Sequence, residues 1–105
     1  MVHDKIYWQL TSVLGKKIHT TKEYWEKIVT TKHPAIKGKE SEVKLTLTDA
    51  DEVRVSKTDK TVFLYYKATK KGFLCVVVKH QNREGFIITT YITEKIKEGR
   101  TIWRK

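Results

Sequence analysis

The sequence predicts an α+β domain, with N-terminal helices packed on one face of a twisted, roughly four-stranded antiparallel sheet. Three observations predict it. Apolar residues recur at helical spacing in the first half of the chain. From Val53 the pattern alternates with a period of two. Two strongly apolar stretches, Phe73–His80 and Phe86–Ile92, then follow with turn residues between them.

The elements follow in order. Residues 1–15 are ambiguous: Ile6-Tyr7-Trp8 and Val13-Leu14 suit either a short strand or one helical turn, and Gly15 ends the segment. Lys16-Lys17-Ile18-His19 reads as a short strand. Thr20 and Glu23 match a Thr-x-x-Glu capping box, which starts a helix carrying Tyr24, Trp25 and Ile28 on one face. That helix ends near Thr31, because Pro34 disfavours helical geometry at His33. A second helix runs from about Lys39 to Leu47, and Asp49-Ala50-Asp51 is a turn. Val53-Arg54-Val55-Ser56 alternates as a half-buried strand, and Lys57 to Lys60 turns into a strand over Thr61–Lys67. Lys70-Lys71-Gly72 is a hairpin signal, and Gln81 to Gly85 makes the next turn. Thr93 to Glu98 suits a helical turn closed by Gly99, with Ile102-Trp103 anchoring the tail.

At 105 residues, with no repeats and one proline, the chain reads as a single domain over 1–105. It carries 22 Lys+Arg against 12 Asp+Glu, a formal net charge of +10. The excess makes a polyanion the default partner, RNA foremost, although charge does not exclude DNA. Cys75 is the only cysteine, so neither an internal disulfide nor a cysteine zinc site can form, and it reads as a small core residue. No apolar stretch approaches the ~18 residues of a membrane span. Met1 to Lys5 lacks the features of a signal peptide, and the expectation is a soluble cytoplasmic protein.

Alternation assigns faces. Val53 and Val55 share one, Arg54 and Ser56 the other. Lys79 falls with Cys75 and Val77, opposite His80, while Thr89 and Tyr91 share a face and Thr90 takes the other. If the helices bury one face, the open face could present Arg54, Ser56, a tyrosine, a lysine or histidine, and a threonine together. That set suits RNA cleavage by a neighbouring 2′-hydroxyl, which needs a base, an acid and donors on the phosphate oxygens. Arg54 offers a planar fork of donors and Lys79 a point charge. Ser56, Thr89 and Tyr91 could hold phosphate or orient a proton, and His33 is the acid–base candidate because imidazole titrates near neutrality. Tyr65, Tyr66, Lys67 and His80 are candidate RNA-binding residues, aromatics to stack bases beside positive charge. Each also has a plainer reading: solvated strand residues, good strand formers, packing tyrosines, or a histidine favoured at a helix C-terminus. His3, His19 and His80 show no metal-ligand spacing, and no cofactor or metal is expected.

These residues lie in motifs whose order resembles a known group. Trp25…Ile28…Lys32-His33-Pro34 and Asp51-Glu52-Val53-Arg54-Val55-Ser56 come first. Leu64-Tyr65-Tyr66-Lys67, Val76-Val77-Val78-Lys79, Phe86 to Tyr91 and Ile96-Lys97…Gly99…Ile102-Trp103 follow. The chain resembles the phage- and toxin-associated domains grouped with barnase, EndoU, colicin and RelE-like ribonucleases, over about residues 16–103. The resemblance implies metal-independent RNA cleavage with functional positions at His33, Arg54, Ser56, Lys79, Thr89 and Tyr91. The chain departs from the group in having Lys27 before Ile28, where relatives often carry histidine, and Thr90 where a small residue is usual. Acid–base work then falls to His33, or the reaction relies on electrostatics and positioning.

The leading expectation is a metal-independent endoribonuclease, toxin-like or phage-related, acting on free or ribosome-associated RNA. A non-catalytic RNA-binding module on the same fold is the alternative. A third is an interaction module whose basic surface meets an acidic antitoxin.

Overall fold

The computed structural model describes residues 5–105, so His3 lies outside the described residues. The chain begins with strands. Ile6–Thr11 (β1) and Lys17–Thr21 (β2) form an antiparallel hairpin, followed by helix α1 (Lys22–Lys27). Thr21 is extended and its hydroxyl accepts the Tyr24 amide at 3.1 Å, so Thr21 caps α1 while Thr20 stays in β2. This corrects the Thr20 capping box by one residue. A wider π-helical turn over Ile28–Lys32 buries both Ile28 and Val29. His33 breaks the spiral (φ −143°, ψ 79°), and Pro34 opens a short 3₁₀ turn through Ile36. Helix α2 (Glu40–Thr48) buries Val43, Thr46 and Leu47.

Strands β3 (Glu52–Val55), β4 (Val62–Thr69), β5 (Gly72–Gln81), β6 (Glu84–Thr93) and β7 (Arg100–Arg104) complete one sheet, ordered β1-β2-β6-β5-β4-β3-β7. The β2–β6 pair is parallel and the others antiparallel. The expected architecture of helices before a four-stranded antiparallel sheet is therefore overturned. Among the described residues the sheet is mixed and seven-stranded, and strand outweighs helix 48% to 23%, which makes the fold sheet-dominated. The physical reason is non-local pairing. β2 finds its partner in β6 and β7 finds its partner in β3, and local periodicity carries no signal for either. The segment after Thr93 is also no helical turn; it crosses the sheet without regular structure.

The main core lies between the helices and one sheet face. There Ile18, Val53, Tyr65, Leu74, Val76, Val78 and Ile87 meet Trp25, Ile28, Ile36, Val43 and Leu47. The opposite face carries a smaller cluster of Leu64, Tyr66 and Cys75, packed by Phe73, Val77, Tyr91 and Ile96. Among the described residues no helix is long and apolar enough to cross a membrane.

Candidate functional site

The site grows from the face turned away from the helices. Cross-strand register places Arg54 opposite Leu64, Leu64 opposite Val77, and Val77 opposite Thr89. The next row runs Glu52, Tyr66, Cys75, Tyr91. Between Ile87 and Thr89 a β-bulge leaves Ile88 without a partner on β5. It lets Ile87 enter the core while Thr89 turns to the open face, where strict alternation would put both on one side. The Ile88 carbonyl instead accepts the Tyr24 hydroxyl at 2.7 Å and the Lys32 ammonium at 3.3 Å, which ties α1 and the π-turn to the free edge of β6.

The Glu94–Gly99 connection straps this face on its way from β6 to β7. Ile96 packs on the Tyr66–Cys75–Tyr91 patch. At the other end Arg54 Nη1 donates to the carbonyls of Gly99 (3.3 Å) and Glu98 (3.5 Å), while its Nε binds Glu52 Oε2 at 2.6 Å. Gly99 has φ +83°, and a Cβ there would lie 2.8 Å from the Val55 carbonyl, so only glycine lets the strap lie this low over β3. A cavity of about 610 Å³ remains between the strap and the turn after β3. Its floor is Val62, Leu64 and Val77; Thr89 and Tyr91 stand on one side, Ser56, Lys57 and Thr58 on another, and Lys97 and Glu98 on the strap.

The expected catalytic residues separate into three groups. Tyr91 and Ser56 line the cavity. The Ser56 hydroxyl also accepts the Thr58 and Asp59 amides, so it shapes the turn. Thr89 lines the cavity too, but its Oγ1 is sealed from solvent and finds no hydrogen-bond partner among the described residues. Arg54 and Lys79 sit beside the cavity, already engaged: Arg54 as above, and Lys79 Nζ 3.7 Å from Asp59 Oδ2. His33 does not line the cavity; its ring lies 5.8 Å from that of Tyr91, which does.

Of the four expected RNA-binding residues, Tyr65, Tyr66 and His80 are buried, and Lys67 is half-buried and paired with carboxylates. Tyr65 is fully buried on the helix side, its hydroxyl bonded to Ser12 Oγ (2.9 Å) and His80 Nε2 (3.1 Å). His80 is buried and stacked under Phe63, with ring centroids 3.9 Å apart. Tyr66 lies on the open face but is covered, and so cannot stack on a base. Lys67 is held by Asp49 and Asp51 away from the cavity. For the three aromatic side chains alternation left the degree of cover open, and packing buried them.

The electrostatics favour protonated donors. Burial, then the neighbouring Cys75, pushes the Tyr91 phenol far above its usual pKa, and Tyr66 behaves alike. Burial raises the Cys75 thiol to about 12, so it stays a neutral core group. The Glu98 carboxylate adds to all three shifts through its negative charge. Sequence reasoning missed Lys57, Thr58, Lys97 and Glu98, which belong to loops without periodicity and matter only because the strap returns over the sheet. Among the described residues no three His, Cys, Asp or Glu side chains converge as metal ligands. No family model matches the chain, nor does any curated protein or solved structure.

Proposed function

We propose that the chain is a cytoplasmic, metal-independent endoribonuclease, toxin-like or phage-related, with the cavity under the strap as its site. One observation carries the reading. Cations, hydroxyls and a carboxylate from separate stretches of a +10 chain surround one small apolar-floored cavity. Such a site can hold a phosphodiester among positive donors and partly exclude water. The motif order that resembles the barnase–EndoU–colicin–RelE-like group points to the same chemistry.

In this reading the 2′-oxygen bonds to phosphorus as the bond to the 5′-oxygen breaks, giving a cyclic phosphate. Glu98, which lines the cavity, takes the 2′-hydroxyl proton. Tyr91, whose proton is held tightly, donates to a phosphoryl oxygen, and Lys57 and Lys97 offset the growing negative charge. The departing 5′-oxygen takes its proton from water, while Tyr91 keeps its own.

The second reading, an RNA-binding module without cleavage, is favoured by the engagement of Arg54 with Glu52 and of Lys79 with Asp59. Incubation of pure protein with a mixed RNA pool and a chelator separates the two. Chelator-resistant cleavage is expected, falling at least about tenfold in Tyr91→Phe and in Lys97→Ala with the melting temperature unchanged. Salt-sensitive binding without cleavage would overturn the enzyme in favour of the binding module. Neither activity would overturn both and leave an acidic antitoxin-like protein as the partner to seek.

A further inference from the structure

We infer that the RNA strand continues from the cavity into a second cleft around the end of β3, so that the site takes single-stranded RNA several nucleotides long. The inference rests on the RNA reading above and adds the path and length of the substrate.

The second cleft, about 910 Å³, shares Ser56, Lys57 and Gly99 with the first, so the two adjoin at the turn after β3. Beyond that junction it adds Lys60, Arg100, the paired Arg54, and apolar surface from Phe63 and Ile102 above the buried Val55. Among the described residues no carboxylate lines it. Lys57, Lys60 and Arg100 are exposed, and among the described residues none of the three has an ion-pair partner. That contrasts with Lys67, Lys79 and Arg54, which are paired. Ile102 is 42% exposed on the edge strand directly beside these cations.

Unpaired cations alternating with apolar surface suit a ligand that offers phosphates and unstacked bases together, and a single strand does this. A duplex hides its bases and would meet only the cations. An isolated phosphate or mononucleotide would fill the first cavity and leave the second cleft idle. The plainer account is that Lys60 and Arg100 are solvated charges that raise the general positive field. The two accounts differ in how affinity depends on length.

The test measures binding of non-cleavable 2′-O-methyl RNA of three and of ten nucleotides to the wild type and to Lys60→Gln/Arg100→Gln. We expect affinity for the ten-nucleotide strand to fall on the order of tenfold at low salt. Its salt slope should become shallower by about 1.4, from two lost phosphate contacts at about 0.7 each. Affinity for the three-nucleotide strand should stay within about twofold. Equal loss at both lengths, or no loss at ten, overturns the path. A wild type that binds neither strand overturns the RNA reading itself, which is a different outcome. Should the double variant melt early, Lys60→Gln and Arg100→Gln taken singly carry the same comparison at about threefold each.

Discussion

The Thr89 hydroxyl and the buried His80 ring show how single residues divide between packing and function. Thr89 keeps a hydroxyl sealed from solvent without a partner, an arrangement that costs free energy. Thr89→Val should therefore leave stability unchanged or raise it by up to about 1 kcal/mol in urea unfolding. A loss of more than that would show that the hydroxyl is satisfied in solution. His80, by contrast, contributes to stability through pH. Burial, with the charge of Lys16 adding, pushes its imidazole down to about 4 from 6.5. Between those values the unfolded chain binds the proton and the folded chain does not, so stability falls as pH drops from 6.5 to about 4 and levels below. The full contribution is present above 6.5 and amounts to on the order of 3 kcal/mol. Urea midpoints of wild type and His80→Gln between pH 4 and 7 check this: the wild-type slope should flatten in the variant, and an unchanged slope would assign the effect elsewhere.

At the scale of elements, the strap after β6 makes the cavity, and Gly99 makes the strap. Its positive φ and its approach to the Val55 carbonyl both exclude a side chain. Gly99→Ala should cost about 1–3 kcal/mol and open the cavity, weakening RNA binding. A melting temperature matching wild type would mean that the strap sits higher than described. The elements also show what local pattern can reveal. The hairpin at Lys70-Lys71 and the turn at Asn82-Arg83 were legible because turn residues separate long apolar alternations. Helix α2 was legible from Val43 and Leu47 one turn apart. β1 was not, since Trp8 is its only buried residue and an edge strand needs no strong pattern. The bulge at Ile88 was not legible either: it depends on which β5 residues lie opposite, and the face shared by Thr89 and Tyr91 is the same with or without it.

For the whole molecule, the sequence by itself determined the charge, the placement of most strands, and the faces of Arg54, Lys79, Thr89 and Tyr91. These follow from composition and from a period of two, which are local properties of the chain. It did not determine the seven-stranded mixed sheet, the cavity, or which of those polar groups remain free. β2 pairs with β6 and β7 with β3 across long stretches of chain, and the strap brings Lys97 and Glu98 over residues far from them in sequence. The same folding hides Tyr65 and His80 inside the core and pairs Arg54 with Glu52. Only the tertiary structure could decide these points, because burial and charge pairing depend on neighbours that the fold supplies and local sequence does not encode.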